Sequence, residues 1–144
     1  MAEVPLHDIA GAVLIEAARE AARNAYAPYS GFPVGAAVLL ANGDTITGAN
    51  FENASFGLSL CAETVALASA NAAGRLSDVV ALAVSGGGAV LRPCGRCRQI
   101  LAEASRHAGR DLLVYCAAAE GQEMERHLVS ELLPLAFDAS DLGG

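Results

Sequence analysis

Ala10, Val13, Leu14, Ala17, Ala18 and Ala21 recur at steps of three and four residues after Asp8. That is the spacing of one helix face, so the pattern predicts an amphipathic helix capped by Asp8 and running to about Ala25, before Pro28 forbids continuation. Val34 to Leu40 and Thr45 to Phe51 read as two strands. Asn42-Gly43 between them tolerates the positive φ of a tight hairpin. Two residues apart on the second strand, Asn50 and Glu52 share a face. Leu60 to Ala73 is an Ala- and Leu-rich helix closed by Gly74, with Cys61 and Glu63 in its first turn. Val79 to Val84 is a buried strand ahead of a Gly86-Gly87-Gly88 turn, and a third helix is predicted from Cys94 to His107, burying Ile100 and Leu101 and stopping near Gly109. Leu112 to Cys116 gives a further strand, whereas periodicity leaves Gln122 to Leu128 open between strand and helix. Helices interleaved with strands imply a layered α/β domain. No internal repeat is present.

Composition narrows the class. A chain of 144 residues is most simply one domain, spanning 1–144, that hides roughly two-thirds of its unfolded surface. Its 53% apolar content fits either a generous core or extra surface buried between subunits. No apolar run reaches the roughly eighteen residues that span a bilayer, and Met1-Ala2-Glu3 lacks the basic start of a signal peptide, so a soluble, cytoplasmic protein without membrane partners is expected. Sixteen acids against nine bases give a formal charge of −7 and no Lys/Arg cluster with interleaved aromatics. A polyanionic nucleic acid is therefore not the expected partner, and a small neutral substrate is. The triple glycine lacks the G-K-[ST] ending of a phosphate loop and reads as a turn.

Four cysteines without a secretory signal favour thiolate chemistry over disulfides. Three of them fall in Cys61-Ala62-Glu63 and Pro93-Cys94-Gly95-Arg96-Cys97, which supply three soft ligands and one proton carrier. Structural zinc sites are normally closed by four protein ligands, whereas three leave the fourth position to water, whose pKa falls to about 7. Each ligand falls near a predicted helix start, where unpaired N–H groups favour thiolate over thiol. Taken singly, buried cysteines are most often plain thiols and Glu63 a solvated helix residue; the combined spacing is what points to a catalytic Zn2+ site. Cys116 as a fourth ligand, closing a purely structural site, is the physical competitor.

The C-x-E…P-C-x-x-C order resembles the small zinc-dependent cytidine deaminases that act on free nucleosides. The likeness extends to Tyr26-Ala27-Pro28-Tyr29-Ser30, Phe32-Pro33-Val34-Gly35, Asn50-Phe51-Glu52-Asn53-Ala54-Ser55-Phe56, Arg98-Gln99, and Glu131-Leu132-Leu133-Pro134 with Phe137, in the same order. The resemblance implies a three-layer α/β/α domain with a mixed sheet of about five strands, an edge strand over Gln122 to Leu128, and a homotetramer with shared active sites. It implies Cys61, Cys94 and Cys97 as zinc ligands and Glu63 as the proton shuttle in hydrolysis of cytidine and deoxycytidine to the uridines and ammonia. Asn50 and Glu52 would bind the ribose hydroxyls, and a carboxylate there would repel a nucleotide phosphate. The backbone of Ala62 would meet the pyrimidine edge. Phe32, and Phe137 from a neighbouring subunit, would flank the base.

Three thiolates on a divalent zinc leave a net charge of about −1, so donors to the sulfurs matter. Arg98 is the expected one. Thr64 stands where the family usually has a second Arg, and its hydroxyl is a weaker substitute. Phe56 stands where the family often has Tyr. These departures keep open a modified or antibiotic cytosine nucleoside as substrate, and the bare ligand set keeps open a non-catalytic zinc module.

Overall fold

The computed structural model describes residues 6–143. Met1-Ala2-Glu3 therefore lies outside the described residues. The elements run α1 (Leu6–Ala22), β1 (Val34–Leu40), β2 (Thr45–Ala49), α2 (Ala62–Ala72), β3 (Val79–Gly86), α3 (Gly95–Ala108), β4 (Leu113–Ala117), β5 (Met124–Leu128) and the short α4 (Val129–Leu132). The strands form one sheet in the order β2-β1-β3-β4-β5. β3 and β4 are parallel, joined by the α3 crossover, and the other pairings are antiparallel. The edge strand implied for the segment ending at Leu128 is β5, paired with β4.

Side chains alternate across this sheet and build two cores. Ala37, Ala81, Ala83 and Tyr115 pack against Leu14, Ile15 and Ala18 of α1. On the other face Ala36, Val38, Leu82, Val84 and Val114 pack against Ala66 and Ala70 of α2 and Leu101 and Ala104 of α3. The result is three layers, α/β/α. Strands β3 and β4 are covered on both faces, which is why Val79 to Val84 reads as a continuous apolar run.

The first helix differs from its sequence reading in phase and length. Its buried stripe is Gly11, Leu14, Ile15, Ala18 and Ala21, while Ala10 and Val13 face outward. Gly11 sets the phase, because a Cβ there would run into the Tyr115 ring of β4. Asp8 lies within the first turn and not at the cap. The helix ends three residues early because Asn24 and Ala25 turn back on Ala21 and Ala22, bringing the Tyr26 N–H to the Asn50 carbonyl at 3.0 Å.

Two further departures bear on function. Gly43 takes a φ of +94°, as expected of the hairpin, but the Asn42 side-chain carbonyl accepts the Asp44 N–H at 3.0 Å, so the loop is wider than a two-residue turn. Beyond Ala49 the chain leaves the sheet: Phe51 bridges to Tyr26 and Leu60, so Asn50 and Glu52 stand on a loop and not on a strand face. Gly48 lets α2 lie directly on β2, since a Cβ there would sit 2.7 Å from the Ala62 carbonyl oxygen and 2.5 Å from the Ala66 nitrogen. That close approach sets the height of the first turn of α2 over the sheet. No helix among the described residues is long and apolar enough to cross a membrane.

Candidate active site

Cys61 is the residue before α2, with extended φ −73° and ψ 153°, and Cys94 stands in the same place before α3, at φ −67° and ψ 168°. Their extended backbones answer a geometric difficulty in the motif. Residues two apart in a regular helix point to different sides, but Cys61 is not yet helical when Glu63 is, so both can face one cavity. Cys97 lies in the first turn of α3 and is fully buried. The helix starts meet at the carboxyl-terminal end of parallel β3 and β4, the usual position of a site in an open α/β sheet.

The ligand atoms of Cys61, Cys94 and Cys97 all lie within 4.8 Å of one another. Cys61 Sγ and Cys94 Sγ are 3.8 Å apart, and all four cysteines are free thiols. Tetrahedral zinc with Zn–S bonds of about 2.3 Å requires an S···S edge of about 3.8 Å, so the spacing fits the ion. The electrostatics ask for one as well. Hydrogen bonding from Cys97 draws Cys61 down to about 6, with Cys94 and the Arg96 charge helping, while that same bond and burial push the Cys97 thiol far up. Three thiolates can stand side by side only around a cation, and unpaired first-turn N–H groups of both helices add partial positive charge.

Cys116 is excluded from this cluster. It is buried in β4, where loss of hydration, with Glu125 adding, pushes its thiol up to about 12. Among the described residues the sulfur trio is the one group of three or more such side chains placed to share a metal ion.

Glu63 is 4% exposed, and burial raises its carboxyl to about 7, with the Cys61 charge adding to the effect. A cation on the Cys61 sulfur would cancel that last contribution. Glu63 lines a cavity of about 410 Å³ together with Cys61, Cys94, Ala62, Phe32 and the pair Asn50 and Glu52.

Thr64 Oγ1 lies 3.5 Å from Cys97 Sγ, so the hydroxyl meets a sulfur directly. Arg98 does not meet one: its Nε donates to the Pro93 carbonyl at 2.8 Å and its Nη1 to the Leu132 carbonyl at 3.0 Å. It braces the turn that carries Cys94 against α4, contrary to the sequence expectation, because its place on α3 aims it at the backbone behind the ligands. Arg96 is the cation whose field reaches Cys61, and its Nη1 donates to the Ser59 carbonyl at 3.3 Å.

The other polar groups of the cavity lining hold one another in place. The Asn50 side chain accepts the Val34 N–H at 2.9 Å and donates to the Phe32 carbonyl at 3.0 Å, which leaves one N–H and one lone pair for a ligand. Glu52 accepts the backbone N–H groups of Tyr29 and Ser30 at 3.0 and 3.1 Å and the Ser30 hydroxyl besides. These donors, the Ser30 hydroxyl foremost, hold its carboxyl below the usual range. Phe137 is 57% exposed and lies outside this chain's own cavity; its carbonyl accepts from Gln99 Nε2 at 2.9 Å.

Two residues emerged only from the structure. Ser30 orients Glu52, and Arg92 lines the cavity while making a bidentate ion pair with Glu125 at 2.8 and 2.5 Å. Arg92 thereby ties the Cys94 loop to β5. Its position just before Pro93 was the available signal, but its partner is 33 residues away on a strand that periodicity does not identify.

Residues 11–110 match the family described as the cytidine and deoxycytidylate deaminase zinc-binding region. The cytidine deaminase of Halalkalibacterium halodurans is 47% identical over 131 residues, which cover 90% of this chain and 96% of that protein. A cytidine deaminase of Mycobacterium tuberculosis is 42% identical over 125 residues, 87% of each chain. The crystal structure of cytidine deaminase from Burkholderia pseudomallei matches with a TM-score of 0.81 at 42% identity, covering 93% of this chain and 100% of that one.

If the sulfur trio alone holds the metal, Cys116→Ser will keep one zinc per chain after dialysis and Cys94→Ser will lose it. Metal analysis of both purified variants checks this, and equal loss from the two would mean a closed site that includes Cys116.

Proposed function

The chain belongs to the cytidine and deoxycytidylate deaminase zinc-binding family, and from that membership we propose that it hydrolyses cytidine and deoxycytidine to uridine and deoxyuridine with release of ammonia. The supporting observation is one cavity in which a buried carboxyl, Glu63, stands beside the metal-binding sulfurs and shares the lining with Asn50 and Glu52. Catalyst and sugar-binding groups thus share a single small chamber.

Zinc, when bound by Cys61, Cys94 and Cys97, supplies the Lewis acidity that makes water nucleophilic near neutral pH. Glu63 accepts the proton that water gives up, delivers it to N3 of the cytosine ring as C4 is attacked, and then carries the second water proton to the exocyclic amine. The C4–N bond breaks and ammonia leaves, so the balance is one water consumed and one ammonia formed. Burial assists Glu63 because a carboxyl away from bulk water keeps its proton within the site. Ala62, at the start of α2, presents an N–H without an intrahelical acceptor to the pyrimidine edge.

Asn50 and Glu52 bind the ribose hydroxyls. Glu52 is held ionised by Ser30 and Tyr29, so it accepts hydroxyl protons well and opposes a phosphate. A nucleoside suits this wall better than a nucleotide. Phe32 supplies an apolar side to the chamber for the base.

Glu63→Gln should keep zinc and fold while kcat for ammonia release falls by about 10²-fold or more, because an amide fills the space but carries no proton. Turnover near the parent rate, in protein shown to be zinc-loaded, would remove Glu63 from the reaction.

We further propose a homotetramer in which Phe137 of one copy completes a neighbour's chamber. The exposed rings of Phe137 and Phe56 and the exposed Leu135 and Leu58 provide apolar surface for such contact. Light scattering should give the mass of four chains at assay concentration. A fully active monomer would contradict the shared chamber.

A further inference from the structure

The Gly86-Gly87-Gly88 turn has no role in the reaction described above, yet its middle residue is in close contact with the wall of the chamber. Gly87 has a φ of +68°, and a Cβ built on it would lie 2.6 Å from Cζ and 3.0 Å from Cε2 of Phe32. Contact that short requires one side to move. The Gly87 carbonyl is pinned, accepting the Ala119 N–H at 2.9 Å.

Phe32 is held at its base as firmly. Its N–H donates to Ser30 Oγ at 3.1 Å and its carbonyl accepts from Asn50 Nδ2 at 3.0 Å, so the backbone is fixed by the residues that also shape the Glu52 and Asn50 wall. With both ends anchored, the remaining freedom is rotation of the ring about its side-chain bonds. Phe32 lines the substrate cavity, and it also lines a second cavity of about 310 Å³ that Gly87 lines. Gly87 does not line the substrate cavity. Phe32 is thus the residue the two cavities share, and its ring is what a side chain at position 87 would meet.

We propose that Gly87 is a positioning residue for substrate binding: its bare Cα is the backstop against which the Phe32 ring rests, and it sets how far that ring projects into the chamber. Any side chain at position 87 drives the ring toward the substrate and narrows the space for the base. The proposal rests on the assignment of Phe32 as a wall for the base. It accounts for the glycine at the middle of the turn by close approach as well as by positive φ. Gly88, by contrast, would meet nothing within 4 Å.

The test is steady-state kinetics on cytidine with the zinc-loaded enzyme. Gly87→Ala should raise KM about five- to tenfold while kcat stays within about twofold, the mark of a misplaced binding wall. The same substitution in a Phe32→Ala background should change KM by less than about twofold, since no ring remains to be pushed. Gly74→Ala controls for backbone strain, because Gly74 has a φ of +74° and nothing within 4 Å of its Cβ position; its KM should match the parent. Gly87→Asn places a Cβ at the same point with a residue that tolerates positive φ, so the question stays answerable if Gly87→Ala does not fold. An unchanged KM in a folded Gly87 variant, or an equal rise with Phe32 absent, overturns the proposal. Phe32→Ala with parental KM would instead overturn the assignment of Phe32 as the wall, and absence of cytidine deamination in the parent would overturn the reaction itself.

Discussion

Three cysteine sulfurs lie within 4.8 Å of one another, and their clustering is the constraint on which the site depends. Ionised together they repel, and protonated they cannot bind a cation. The fold meets this demand with two helix starts and one dication. α2 and α3 converge so that Cys61 and Cys94 each precede a helix, and Cys97 lies within the first turn of α3. That convergence restricts the scaffold behind it. Gly48 must lack a side chain so that α2 can settle on β2, and the parallel β3–α3–β4 crossover must deliver the second helix to the same sheet end.

Around this centre the polar residues hold one another in place. Ser30 orients Glu52, and Arg92 and Arg98 brace the Cys94 turn against β5 and the end of α4. Asn50 holds the backbone on either side of Pro33, at the Phe32 carbonyl and the Val34 N–H, with one half of its hydrogen-bonding capacity and leaves the other half for a ligand. The Arg92–Glu125 ion pair lies at the surface, and these contacts add little to stability individually. Their importance is geometric. They fix a loop whose displacement would open the sulfur triangle.

Much of this was legible in the sequence because the chemistry is local. Cys61 with Glu63, and Cys94 with Cys97, are short-range patterns whose meaning comes from ligand type and spacing, while the Asn42-Gly43 turn points to β1 and β2 and a continuous apolar run to β3. The resemblance carried by those motifs extended the reading to the edge strand, where periodicity was silent because β5 is covered on one side only and mixes charges with Met124 and Leu128. What stayed hidden depends on long-range packing. The phase of α1 was misread by one step, since nothing near Gly11 announces that Tyr115 lies above it. Arg98 directly follows a motif cysteine in sequence, but its partners in the fold are the Pro93 and Leu132 carbonyls, which no motif can indicate. Asn50 and Glu52 were placed on a strand they had already left, because the bridge from Phe51 to Tyr26 and Leu60 is a tertiary contact.

An open, three-thiolate centre is read directly by X-ray absorption at the zinc edge of the purified protein. Such a centre predicts three sulfur scatterers at about 2.3 Å and one lighter oxygen or nitrogen scatterer at about 2.0 Å. A shell of four sulfurs would mean that Cys116, or a cysteine from another chain, closes the site, and a zinc so enclosed could hold the fold but could not activate water.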